Sequence, residues 1–325
     1  MRGWRHELAM IRVVAGRLAG GVITLVLLSV LVFAAGQALP GDVGRAILGP
    51  LADAASVAAL DHSLGADRPV LVQFFHWAGG VLRGDLGISY AFRAPVAPFI
   101  VAALGKSLLL AAVTFVLTVP IALAAGVYAG WHAGRWQDRI VSILGAGFTA
   151  VPEFASGIVL ILVFGIWLHA LPVSAAAPPG AGFFVRIAHL ILPALPLCLV
   201  LFGYIAGVAR AGTTEVLAAD FYRTAVLKGL APWVIAWRHV LPNALTPAVA
   251  VIASQTGYLV GGLAVVETLF RYPGIGSLIL TAARGRDFPM LEAAVLVVGC
   301  VFVVAAALAD LLTVWLDPRL RRRGV

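Results

Sequence analysis

Few residues in this 325-residue chain are of the types that carry out covalent chemistry, and none is spaced for it. Its two cysteines, Cys198 and Cys300, both lie inside apolar runs, so there is no CxxC pair for redox or zinc. His6-Glu7 starts like a zinc-protease HExxH helix but lacks the second histidine, and no GxSxG elbow raises a serine. Gly105-Lys106-Ser107 has the letters that close a phosphate-binding loop. The first glycine of that loop would fall on Ile100, however, and no strand precedes it. Catalytic residues and metal ligands are therefore both expected to be absent, and any energy must come from an ion gradient or another subunit.

Ion-coupled carriers place charged side chains deep in a helical bundle. The deepest here is Glu153, beside Pro152. His189, Glu292 and Asp310 lie near the ends of apolar segments, where water reaches them. Glu153 either lines a path through the bundle or reaches hydrated surface along a kinked helix. One such acid is thin support for a proton or sodium relay.

The richest stretch is polar and aromatic: Asp220-Phe-Tyr-Arg223-Thr224-Ala225-Val-Leu-Lys228-Gly229-Leu-Ala-Pro232-Trp233, running on to Trp237-Arg238-His239-Val-Leu241-Pro242. It reads as two short helices broken at Gly229–Pro232, with Asp220 able to cap the first or pair with Arg223. Its apolar residues belong to no span. They either lie on lipid with Trp and Arg as anchors, or form a docking surface for a soluble partner.

The elements that must position these residues follow from composition. The chain is 62% hydrophobic and 12% charged, with a mean hydropathy of +1.01. A soluble domain holds about 45–50% apolar and about 25% charged residues. The composition therefore indicates an all-α polytopic membrane protein, and it excludes a secreted disulfide scaffold and a disordered chain. Six apolar segments are long enough to cross hydrocarbon, which needs about 20 residues: 18–39, 108–129, 140–168, 187–209, 244–266 and 291–316. The first is too long for the core of a signal peptide and is read as a retained helix. With the N-terminus inside, the inner segments hold 14 Lys and Arg and the outer ones 8, which places both termini in the cytoplasm. The net charge of +8 then reflects basic loops on the cytoplasmic face and needs no nucleic acid partner. Pairs of small residues four apart (Gly126/Gly130, Gly203/Gly207, Gly257/Gly261) are expected at helix contacts. Pro120, Pro152, Pro193, Pro196 and Pro247 are expected to permit kinks.

The polar stretch resembles the EAA loop of ATP-binding-cassette (ABC) importer permeases: E-A-A, three residues, Gly, nine residues, Ile, one residue, Leu-Pro. Here the slots hold Arg223-Thr224-Ala225, Gly229, His239 and Leu241-Pro242. Arg223, Thr224 and His239 depart from the general pattern and are similar to the peptide, dipeptide and nickel branch. Segments along nearly the whole chain resemble the first permease subunit of that branch. Leu39-Pro40-Gly41-Asp42, Arg68-Pro69, Gln73, Trp77, Gly84-Asp85-Leu86-Gly87, Ser89 and Pro95-Val96 match its outer loop. Val266-Glu267-Thr268-Leu269-Phe270, Pro273-Gly274-Ile275-Gly276 and Arg286-Asp287-Phe288-Pro289 match the segment between its last two spans, and Asp317-Pro318-Arg319 its tail.

The resemblance implies a type I ABC importer transmembrane domain in the bacterial cytoplasmic (inner) membrane. It implies a cytoplasmic N-terminal segment (1–17), a first transmembrane helix (18–39) and an extracytoplasmic loop (40–103). A five-helix core (104–316) follows, with a coupling loop at 210–243 and a cytoplasmic tail (317–325). Partners would be a homologous second permease subunit forming a heterodimer, two cytoplasmic ATPase subunits that use ATP and Mg, an extracytoplasmic substrate-binding protein, and the lipid bilayer. The chain itself would bind no cofactor. Arg223, Thr224, Ala225, Lys228, Gly229, Leu241 and Pro242 would couple it to an ATPase, while Glu153 and Glu267 are candidates for the translocation path. The cargo would be a peptide or a related small solute such as a glutathione-like tripeptide, an opine or a nickel chelate. The competing reading is a secondary transporter driven by an ion gradient, which predicts inverted repeats and ionisable groups at mid-membrane.

Overall fold

The computed structural model describes residues 2–38, 43–49, 51–65 and 67–316. The Leu39–Asp42 motif and the Asp317-Pro318-Arg319 tail lie outside them. In chain order the helices are α1 (Arg2–Ala38), α2 (Val43–Leu48), α3 (Ala54–Leu64), α4 (Val70–Leu82), α5 (Val96–Trp131), α6 (Trp136–Ala150) and α7 (Glu153–Leu160). They continue with α8 (Phe183–Ala218), α9 (Asp220–Leu227), α10 (Pro232–Ile235), α11 (Leu241–Leu269), α12 (Ile275–Arg284) and α13 (Phe288–Leu316). Wider π-helical turns extend α7 over Ile161–Trp167 and join α10 to α11 over Ala236–Val240. Among the described residues the only β pairing is a bridge between Ile88 and Pro95.

Among the described residues four helices (α1, α5, α8 and α13) are long and apolar enough to cross a membrane, or five where the bent pair α6–α7 is counted as one span. The apolar segment 244–266 lies within α11, which is 29 residues long. Helix α8 is the most enclosed of the four long spans, packing against α5, α6, α7 and α11. Helix α1 is the least enclosed, and packs against α13 and α4. Large side chains on α1 such as Leu27 and Leu31 stay exposed, as lipid-facing residues of a spanning helix do.

Lipid tails give apolar helices no hydrophobic reason to associate, so contact depends on close approach. Gly126 and Gly130 provide it between α5 and α8. A Cβ on Gly126 would lie 2.5 Å from the Ala206 carbonyl oxygen, and one on Gly130 would lie 2.6 Å from the Thr213 Cβ. Gly203 faces Gly145 and Thr149 of α6, and Gly257 faces the Phe302 ring of α13. Gly207 touches nothing that a Cβ would disturb, so that member of the expected pairs makes no helix contact. The side chains at this centre, among them Leu110, Leu190, Leu201, Leu259 and Phe270, form the main core.

The segment 140–168 is not one straight span. Helices α6 and α7 meet at 105° across Val151-Pro152. Proline has no N–H to continue the ladder, and it drives the preceding residue out of the helical region. Val151 is accordingly extended, with φ −88° and ψ 125°. Pro120, Pro193, Pro196 and Pro247 sit inside continuous helices. The described residues of the connection 40–103 are structured: α3 starts on the Asp53 side chain, which accepts from the Ser56 N–H at 3.1 Å, and ends at Gly65 in the left-handed region. The inner connection is shorter than 210–243, because α8 runs on to Ala218.

Candidate functional site

The loop between α8 and α11 folds as the break at Gly229 requires. Its first residues form α9, and the chain reverses at Gly229 with φ +70°. That conformation costs an L-residue with a side chain roughly 1–2 kcal/mol, and glycine little. A Cβ at Gly229 would meet nothing, so backbone geometry and not space selects the glycine. The turn closes through Lys228 N–H to the Thr224 carbonyl at 3.0 Å and Gly229 N–H to the Val226 carbonyl at 2.9 Å. Asp220 occupies the first turn of α9 without capping it; the residue at the cap is Ala219.

Ala225 faces inward and is 5% exposed. It packs with Val216 from the end of α8, with Ile235 and Val240, and with Ala244 from the first turns of α11. A larger residue here would push α9 off this base. Tyr222 is half-buried on the same base, and the other face of α9 points away: Phe221, Arg223, Thr224, Val226, Leu227 and Lys228 are exposed, and Leu227 is 88% so. Trp233 and Trp237 extend this exposed apolar surface. Leu241 is half-buried, and Pro242 sits at the start of α11, where a missing N–H costs nothing. Gly212 of α8 lies directly against the Ala244 backbone. The platform under α9 thus joins α8 to α11, and a displacement of α9 bears on both.

A second contact on this side was not visible as a motif. Arg210 of α8 grips Asp138 of α6 through two nitrogens, the Nη2 contact being 2.7 Å. Asp138 also accepts from the Gly134 N–H at 2.8 Å and the Ser142 hydroxyl at 3.2 Å. The only sequence signal was an acid placed in a first helical turn.

The two path candidates sit in different surroundings. Glu153 is half-buried in the first turn of α7, at the α6–α7 bend, where the helix dipole favours a negative charge. Glu267 is 0% exposed. One of its oxygens accepts from the Ser107 hydroxyl and the other from the Ser277 N–H at 3.0 Å, while Ser107 Oγ accepts from the Ile275 N–H at 2.8 Å. In this conformation Glu267 acts as the cap of α12 and ties α5, α11 and α12 together. A Cβ on Gly274 would collide with it, which explains the glycine before α12. Ser107, the last residue of the false phosphate loop, has its role here.

The outer loop is fastened in a similar way. Asp287 accepts from the Ser89 hydroxyl, from the Tyr90 N–H at 3.0 Å and from the Ala91 N–H at 3.3 Å. Two motifs almost 200 positions apart in sequence therefore meet at one buried carboxylate. Burial, with the nearby charges of Glu292 and Asp287, pushes the Tyr90 phenol up to about 12. Among the described residues no group of three His, Cys, Asp or Glu could hold a metal ion.

Comparison with known proteins agrees with this architecture. Residues 122–322 match the family of binding-protein-dependent transport system inner membrane components, and residues 10–107 match the N-terminal domain of such membrane components. The chain is 34% identical over 305 residues to a probable peptide ABC transporter permease protein, y4tP, of Sinorhizobium fredii, covering 94% of this chain and 97% of the relative. It is 36% identical over 312 residues to the glutathione transport system permease protein GsiC of Escherichia coli O6:H1, covering 96% and 99%. The same permease of Escherichia coli K12 is 35% identical over 312 residues. With a matched region covering more than half of the chain and relatives similar from end to end, the chain belongs to the binding-protein-dependent transport system inner membrane component family, as an ABC importer permease of the bacterial inner membrane.

Proposed function

We propose that this chain forms half of the translocation pore for peptides or a related small solute, a glutathione-like tripeptide included. It works by alternating access, driven by two ATPase subunits that bind ATP and Mg. The observation that carries the reading is α9: a short helix with an exposed apolar face, seated through Ala225 on the joined ends of α8 and α11. Arg223, Thr224, Lys228 and Gly229 are its contact and turn residues. Leu241 and Pro242 fix the return into α11. When the ATPases close, they draw this helix inward, and α8 and α11 move with it. A second, homologous permease supplies the other half of the pore, and a binding protein delivers the solute to the outer loop. Glu153, at the bend between α6 and α7, faces the path, and six spans with both ends inside complete the subunit. Against the ion-driven alternative stand the family match to binding-protein-dependent systems and a relative named as an ABC transporter permease.

The test uses the chain together with its operon's products in native vesicles. Cysteine placed at Val226, which is 50% exposed, is expected to crosslink to an ATPase subunit. The buried Ala225 is the wrong position for such a probe. Gly229→Asp is expected to abolish ATP-dependent peptide uptake while the chain still inserts and folds. Uptake that survives ATP depletion and collapses with an uncoupler would overturn the reading, as would a Val226 cysteine that never traps an ATPase.

A further inference from the structure

An open groove of about 260 Å³ lies at the outer end of α11 and along α12. Ser277, Leu280, Thr281 and Arg284 line it from one stripe of α12, at the i, i+3, i+4, i+7 spacing of a helix face. Thr268 and Arg271, at the end of α11, close the other side. Its hydrogen-bond donors can be counted. The Thr268 hydroxyl donates to the Ala264 carbonyl at 2.7 Å, that of Ser277 to Gly274 at 2.9 Å, and that of Thr281 to Ser277 at 2.8 Å. Tyr272, whose phenol burial pushes up to about 12, donates to the Lys106 carbonyl at 3.0 Å. The uncommitted donors are the two guanidinium groups, and among the described residues neither is paired with a carboxylate. Glu267, at the back of the groove, has both oxygens occupied by Ser107 and Ser277. Arg271 is also held at φ +52°, a conformation that asparagine or glycine would adopt at lower cost. Two exposed cations line one groove whose hydroxyls and carboxylate are already hydrogen-bonded, which is a donor set for an oxyanion.

We propose that Arg271 and Arg284 form an anion subsite at the outer mouth of the bundle, which takes a carboxylate of the transported solute. This rests on the peptide reading above. A peptide released at the outer face always carries a C-terminal carboxylate, whatever its side chains. Two guanidinium groups on a fixed frame would hold that end by bidentate hydrogen bonds and leave the rest of the solute free to vary. The same chemistry would suit the phosphate of an anionic lipid headgroup, so the test separates the two sources.

The complete transporter is reconstituted in phosphatidylcholine vesicles with and without phosphatidylglycerol. Its arginines are labelled with phenylglyoxal and mapped by mass spectrometry. A tripeptide is expected to protect Arg271 and Arg284, and its C-terminal amide is not. Arg284→Gln is expected to raise the KM for uptake of the free acid by about tenfold, the effect of one lost charge-assisted hydrogen bond, and Arg284→Lys to restore only part of it, because an ammonium keeps the charge but not the bidentate geometry. Protection that needs phosphatidylglycerol and ignores the peptide would assign the site to lipid and overturn the proposal. Arginines that the reagent never reaches would show that another subunit covers the groove, and would overturn it too. Peptide uptake unchanged in Arg271→Gln and Arg284→Gln would defeat the subsite alone. A wild-type transporter that takes up no peptide would defeat the functional reading beneath it.

Discussion

At the scale of single residues, the chain spends its few buried polar groups on fastening. Glu267 and Ser107 are both enclosed, and between them they satisfy the first N–H groups of α12. Glu267→Ala would leave the Ser277 N–H and the Ser107 hydroxyl without a partner. The expected loss is about 2–3 kcal/mol, read as a lower thermal midpoint of the purified permease in detergent, and Ser107→Ala should lose less. Gly229 poses the opposite problem, since conformation alone restricts it. Gly229→Asn should keep much of the uptake, because asparagine tolerates the left-handed region, whereas Gly229→Val should lose nearly all of it. If the two variants transported equally, steric freedom and not backbone angle would govern the site. Glu153→Gln, at the bend of the third span, should alter uptake rate or the range of peptides accepted. An unchanged profile would place that side chain off the path.

At the scale of elements, contact between helices is decided by where small residues fall. Gly130 meets Thr213 and the Arg210 carbonyl, while Gly207 meets nothing. Gly130→Leu should therefore separate α5 from α8 and sharply reduce the yield of folded protein, by an overpacking cost of about 1–3 kcal/mol or more. Gly207→Ala should leave yield and thermal midpoint unchanged. Both glycines belong to pairs with the same spacing in the sequence, so the contrast tests geometry against pattern. On the cytoplasmic side, Asp138 and Arg210 hold α6 to α8. Asp138→Ala and Arg210→Ala should each destabilise the permease, and the double variant should cost less than the two combined. A coupling of about 1 kcal/mol is expected, because Arg210 is 35% exposed and water screens it. Strict additivity would mean that the pair contributes nothing.

At the scale of the whole molecule, the two ends of the bundle carry different devices. The cytoplasmic end presents one exposed helix seated on a joint between α8 and α11. The outer end is a fastened cap, with Asp287 holding the outer loop and Glu267 holding α12. Helix α11 runs from the platform under α9 to the Glu267 cap, and α8 packs along it. On the coupling proposed above, a displacement of α9 would pass along these two helices.

Composition alone determined that this chain is a membrane bundle, because hydrocarbon admits only long apolar helices and such segments can be read directly. The break at Gly229 was equally legible, because a left-handed turn is local backbone geometry that short-range spacing records. That Ala225 turns inward depends on its neighbours from α8 and α11. The tertiary structure decided the rest. Pro152 marked a kink within 140–168, but periodicity cannot register its size, and only the structure sets it at 105°. Glu267 was legible only as part of the Val266–Phe270 segment that resembles the family. Only the fold brings Ser107 and the start of α12 to its two oxygens. The Asp138–Arg210 grip depends likewise on which helices become neighbours, a matter of packing between segments far apart in the chain.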